Sequence, residues 1–270
     1  MTLALQLDGI SAGYHGKRII HDVSLHIPAG GAVTVIGPNG SGKSTLLKAV
    51  VGLLPLASGT LTLGARHIGP LDAPARTRLG MGYVPQEHNV FPNLSVLDNL
   101  RLGWEGVQGN RPDGDRSKGP SQRAHLDAVL ALFPEIATRL GTAAGLLSGG
   151  QRQMAAMAAA LMQQPSVLVL DEPSAGLSPR NAALLFERIA DVRRTGVTLL
   201  MIEQNVRLGL TVADHGVVLV NGHVRRQRPA QALLNDDDLP RLFFGHDPEA
   251  LTDADTDTAS ADTPDSTVPA

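Results

Sequence analysis

With 270 residues, 43% of them hydrophobic and only 3% aromatic, the chain can build one large α/β domain or two small ones, packed on Leu, Val, Ile and Ala. It has no cysteine, which excludes disulfides and Cys-ligated zinc or iron–sulfur centres and fits a reducing compartment. The net charge of −3 is uneven: residues 246–270 carry seven acids and no Lys or Arg, leaving 19 acids against 23 basic residues before them. That surplus is too mild to draw nucleic acid by bulk electrostatics.

The first residues lack a basic region and Asp8 breaks their apolar run, so no secretory signal is predicted. The longest apolar runs, such as Met154–Met162, are about half the ~20 residues that span a bilayer. The expectation is a soluble chain whose membrane association goes through a partner. Leu3, Leu5 and Leu7 alternate with polar or small residues and predict a half-buried strand; Val23, Leu25 and Ile27 repeat the pattern. Tyr14 lies between them in the turn Gly13-Tyr14-His15-Gly16. An aromatic there could stack on a base.

Past Gly30-Gly31, the run Ala32–Ile36 reads as a buried strand. Gly37, Pro38, Asn39, Gly40, Ser41, Gly42, Lys43 and Ser44 then fill G-x-x-x-x-G-K-[ST], and Thr45–Val51 has helical spacing. Gly40 and Gly42 let backbone N–H groups turn inward around a phosphate, and the helix start adds its positive end. Lys43 can reach β- and γ-phosphates and Ser44 can hold Mg²⁺. Strand, loop and helix together predict a nucleoside triphosphate site.

Thr60–Leu63 and Gly82–Val84 are further strand candidates, and Gly64–Arg78 between them reads as a connector. After Gln86 helical spacing begins at Leu94, Val96, Leu97 and Leu100. Gly103–Pro120 holds five glycines, two prolines and six charges, predicting an exposed insert. Leu126, Val129, Leu130 and Phe133 resume the helical period, so a mostly helical block is expected over about 86–145. Ser148-Gly149-Gly150-Gln151 precedes an Ala- and Met-rich helix. Val167–Leu170 is a continuous apolar strand ending in Asp171 and Glu172, at the edge where parallel sheets place ligands. Arg180–Thr195 is an amphipathic helix and Val197–Ile202 another buried strand, ending in Glu203-Gln204-Asn205. Val217–Val220, Asn221-Gly222 and His223-Val224 predict a hairpin. Residues 246–270 have little to bury and read as a disordered acidic tail after a domain over 1–245.

The phosphate loop, Leu147-Ser148-Gly149-Gly150-Gln151, the Val167–Glu172 strand and Gln86, in this order and spacing, resemble the ABC ATPases. The resemblance implies a P-loop α/β core with an N-terminal antiparallel β subdomain and an inserted helical subdomain. It implies that Tyr14 stacks on adenine, that residues Gly37 to Thr45 cradle ATP, and that Ser44, Gln86 and Asp171 serve Mg²⁺. Glu172 would be the general base, with Gln86 and Gln204 beside it. Ser148, Gly149, Gly150 and Gln151 would contact ATP held by a second ATPase subunit, and Ser174–Leu177 would meet that partner. A composite site follows, so one copy alone is a poor enzyme.

Three positions depart from the family pattern: Gln204 replaces the usual histidine, and Met154 and Ala159 replace basic residues after the signature Leu147-Ser148-Gly149-Gly150-Gln151. An amide can donate a hydrogen bond to the γ-phosphate but cannot carry a proton. Ile202-Glu203-Gln204-Asn205, Tyr83-Val84-Pro85-Gln86 and Asn89–Val96 resemble branched-chain amino acid importer ATPases; urea and short-amide importers share them. The resemblance implies permease partners, a periplasmic or lipid-anchored binding protein acting indirectly, no nucleic acid, and residence on the cytoplasmic face of the membrane. A soluble cluster-assembly or regulatory ABC ATPase and an exporter subunit are the rival readings. Phe91 and Leu94, beside Gln86, are either core or part of the permease-docking surface.

Overall fold

The alternating residues at the start pair into an antiparallel sheet. In the computed structural model, which describes residues 2–108, 121–239 and 241, β1 (Leu5–Tyr14) meets β2 (Lys17–Ile27) across a turn with positive φ at His15 and Gly16. β3 (Ala32–Ile36) leads through the glycine loop into α1 (Lys43–Val51), whose C-terminus is closed by Gly52 at φ 84°. β4 (Leu56–Leu63) and β5 (Arg66–His67) complete a four-stranded sheet in the order β2-β1-β4-β5.

The stretch read as a connector therefore holds β5 and, further on, α2 (Ala73–Arg78). Asp72 caps α2 through Ala75 N–H, and Pro sits in its first turn. Buried Arg76 explains why so polar a segment is ordered. Its guanidinium donates to the carbonyls of Ala49 and Val50 at 2.6 Å, Gly69 at 2.8 Å and Leu71 at 2.9 Å, satisfying the last turn of α1.

β6 (Met81–Val84) precedes the helices α3 (Val96–Gln108), α4 (Gln122–Leu132), α5 (Pro134–Ala137) and α6 (Gly149–Met162). The exposed insert read over 103–120 is corrected over its first third: residues 103–108 continue α3. Gly103 is a packing residue, since a Cβ there would lie 2.2 Å from the Ala159 carbonyl oxygen of α6. Its glycine marks a close helix crossing. Residues 109–120 lie outside the described residues, as does the tail read from 246 onward.

β7 (Val167–Asp171), α7 (Pro179–Arg194), β8 (Thr198–Glu203), α8 (Val206–Thr211), β9 (His215–Val220), β10 (His223–Pro229) and α9 (Ala230–Leu234) follow. The second sheet runs β10-β9-β3-β8-β7-β6, parallel except for β10, which returns from β9 through the Asn221-Gly222 turn, both residues at positive φ. β3, β7 and β8 are buried throughout. Alternate residues of β7 serve two cores: Val167 and Val169 pack with α1 and the antiparallel sheet, Leu168 and Leu170 with α6 and α7. Two-sided burial explains the unbroken apolar runs in the sequence. These elements belong to a unit over Met1–Asp236; in the unit Asp237–Ala270, Arg241 pairs with Asp238 at 3.3 Å.

Candidate active site

Four neighbouring parallel strands end on one edge. In the order β3, β8, β7, β6 they deliver Gly37, Gln204, Glu172 and the segment carrying Gln86. Register fixes the depth: Ile36 pairs with Glu203, and Asp171 with Ile202. Residues far apart in sequence thus meet because β8 is threaded between the two motif strands.

Backbone geometry dictates the glycines of the loop. Gly42 has φ 101°, a left-handed value that favours glycine, and a Cβ on Gly37 would strike the Leu219 carbonyl oxygen at 2.1 Å. The hairpin turn braces the loop from behind, as Gly222 N–H donates to the Ser41 carbonyl at 2.8 Å. Lys43 is 4% exposed; its Nζ donates to the carbonyls of Gly37 at 2.8 Å and Pro38 at 3.0 Å. Burial pulls its pKa below the usual lysine value, against the opposing fields of Glu172, Asp171 and Glu203. A bound polyphosphate would favour the charged ammonium further.

Glu172 has φ +44°, an αL conformation that costs a non-glycine residue about 1–2 kcal/mol. Its own N–H stays in the ladder, donating to the Ile202 carbonyl at 3.0 Å. Its Oε2 accepts from Gln204 Nε2 at 2.6 Å and Gln86 Nε2 at 3.2 Å. The three residues expected to be catalytic therefore share one carboxylate oxygen. Asp171 is buried beside them. Burial raises its carboxyl pKa, while the Tyr83 hydroxyl donating to Oδ2 at 3.2 Å pulls it back down. Its Oδ1 has no partner.

A cleft of about 460 Å³ is lined by Tyr14, Ile19, Asn39, Gly40, Gly42, Lys43, Ser44, Thr45, Gln86, Glu172 and Gln204. Gly37, Pro38, Ser41 and Asp171 are not on this wall, and Tyr14, which is, is 40% exposed. Ser44 and the unpaired Asp171 oxygen fit Mg²⁺, which takes one or two protein oxygens and completes its shell with phosphate and water. Among the described residues no group of three or more His, Cys, Asp or Glu offers an all-protein metal cage. The signature residues do not reach this cleft. Ser148 caps α6 and exchanges hydrogen bonds with Gln151 in a capping box, and Gly149 lines a second groove with Gln86, Asn89 and Ala175–Leu177.

Sequence reasoning assigned no role to Tyr83, Ile19 or Glu203. Tyr83 carried a usable signal, because a tyrosine in a buried strand needs a partner for its hydroxyl. Ile19 carried none beyond its place near Tyr14.

Residues 20–175 match the family model described as "ABC transporter". The chain is 41% identical to the probable branched-chain amino acid transport ATP-binding protein LivF of Archaeoglobus fulgidus, over 87% of this chain and 96% of that one. It is 37% identical to BraG, a high-affinity branched-chain amino acid transport ATP-binding protein of Pseudomonas aeruginosa, over 89% and 99%. The lipopolysaccharide export ATP-binding protein LptB of Escherichia coli is 32% identical over 90% and 98%. A crystal structure of a nucleotide-free ATP-binding cassette from an ABC transporter superposes with TM-score 0.77 at 26% identity, covering 90% of this chain and all of that one. The chain belongs to the ABC transporter family, as one of its ATP-binding, ATP-hydrolysing chains.

Proposed function

We propose that this chain energises an importer of branched-chain amino acids, pairing with a second ATPase subunit and docking on permease subunits at the inner face of a membrane. The observation that carries the hydrolytic reading is the single Glu172 oxygen on which Gln86 and Gln204 converge beside the phosphate loop. ATP lies with its phosphates on the loop N–H groups and Lys43, and Tyr14 at the cleft mouth receives the base. Ser44 and Asp171 would hold Mg²⁺, which would supply positive charge to offset that of the phosphates. Glu172 orients the attacking water for in-line displacement, and its two amide partners fix the direction of its lone pairs. Ser148 to Gln151 complete the site on the partner's nucleotide, in keeping with their absence from the wall of this cleft.

The substrate class rests on the likeness to LivF and BraG and on the Ile202–Asn205 and Tyr83–Gln86 motifs. Likeness to LptB supports a second reading, export of a lipid-linked molecule. Uptake of labelled leucine, isoleucine and valine, with urea alongside, in cells lacking the gene separates them. Loss of the three amino acid uptakes is the expected result. Unchanged uptake of all four, with altered outer-surface lipid, would favour export.

A further inference from the structure

Glu203 is 1% exposed at the end of β8, directly before Gln204. Its carboxylate faces hydrogen-bond donors from two segments. Oε1 accepts from Ser174 N–H at 2.9 Å, and Oε2 from the Ser174 hydroxyl at 2.9 Å, Gln204 N–H at 3.0 Å and Asn205 N–H at 3.1 Å. Ser174 opens the loop that follows Glu172, and Ala175 N–H in that loop donates back to the Glu172 carbonyl at 3.0 Å. One buried carboxylate thus ties the segment carrying Gln204, which touches the Glu172 side chain, to the loop that follows Glu172 and bonds its main-chain carbonyl.

We infer that Glu203 is a positioning residue for ATP hydrolysis, holding Gln204 and the Ser174–Leu177 loop in register with Glu172. This rests on the reading of Glu172 as the hydrolytic carboxylate. The residue type follows from the donor set. Three backbone N–H groups and a hydroxyl require acceptors on both oxygens, which an ionised carboxylate supplies. A glutamine of the same shape would turn an NH₂ group toward one of the N–H donors. The strand end would then shift, and Gln204 Nε2 would lose its 2.6 Å approach to Glu172. Glu203 itself is not on the wall of the ATP cleft, so nucleotide affinity does not depend on it directly.

The test measures kcat, KM for MgATP and melting temperature of the full chain, at concentrations where two copies pair, for Glu203→Gln, Gln204→Ala, their double variant and Glu172→Gln. Glu203→Gln should lower kcat by about tenfold or more while KM stays within about twofold. The double variant should be no slower than the slower single, because both act through the same contact. A normal kcat in Glu203→Gln, or effects that multiply in the double variant, would overturn the inference. Should Glu203→Gln fail to fold, Ser174→Ala removes one of the four bonds and should still lower kcat at constant KM; an unchanged kcat there counts against positioning. Glu172→Gln separates the two claims. A normal rate in it overturns the hydrolytic reading and this inference together, whereas its loss beside an unaffected Glu203→Gln overturns this inference alone.

Discussion

At the scale of the residue, the site is a set of unfavourable local choices held in place by neighbours. Glu172 keeps φ +44° where glycine would be easier, so its side chain is what the position retains. Gln204 stands where a histidine is usual in the family pattern, and the structure gives its amide a definite role, since Nε2 donates to Glu172 at 2.6 Å. Gln204→Ala should therefore slow hydrolysis by about tenfold with little change in ATP affinity, whereas Gln204→His, which can donate from a ring nitrogen, should retain most of the rate. Steady-state kinetics of both variants check this; a normal rate in Gln204→Ala would remove the residue from the mechanism. Lys43 and Glu172 were legible in sequence because their spacing within a motif is the signal. Glu203 was not, since its meaning depends on Ser174, which lies 29 residues away and is brought close only by strand order.

At the scale of the element, composition misled where packing decided. Glycines between 103 and 120 read as an insert, yet Gly103 lets α3 approach α6 and Gly106 lies on the same helix. The two separate cleanly by experiment. A Cβ at Gly103 meets the Ala159 carbonyl oxygen at 2.2 Å, so Gly103→Ala should destabilise by about 1–3 kcal/mol through overpacking. A Cβ at Gly106 meets nothing within 4 Å, so Gly106→Ala should stabilise by about 0.5–1 kcal/mol through helix propensity. Denaturant midpoints report both, and equal shifts would contradict the packing assignment. Strands were easier to read. The unbroken apolar runs of β3, β7 and β8 follow from burial on both faces, and Asn221-Gly222 from the φ values its turn needs. The short β5 and α2 had no periodic signal; Asp72 caps α2 locally through Ala75 N–H, and Arg76 anchors the segment to the carbonyls of α1.

At the scale of the whole molecule, the phosphate-loop cleft and the groove lined by Gly149 adjoin at Gln86, which lines both, and on the proposed reading each is half of a composite site. If each completes the other copy's nucleotide site, Lys43→Ala and Ser148→Arg proteins, each inactive alone, should regain hydrolysis when mixed. The mixed pair then holds one cleft with an intact lysine facing an intact signature. No recovery at any ratio would contradict the composite arrangement. Phe91 is 61% and Leu94 37% exposed, so the core alternative left open by the sequence does not hold. Buried Asn99 fixes their turn, accepting from Phe91 N–H at 2.8 Å and donating to the Phe91 carbonyl at 3.1 Å. Phe91→Asp should leave melting temperature and ATP binding nearly unchanged and abolish uptake in cells; normal uptake would place the permease contact elsewhere.

On the proposed reading, the Glu172 carboxylate, held by Gln86 and Gln204 in the ATP cleft, drives hydrolysis without being needed for binding. Parallel measurement of ATP affinity and turnover in Glu172→Gln tests it most directly. Affinity should be unchanged and the rate lower by about 10²–10⁴, the usual worth of a general base. Hydrolysis at the wild-type rate, or a loss of binding equal to the loss of rate, would contradict it.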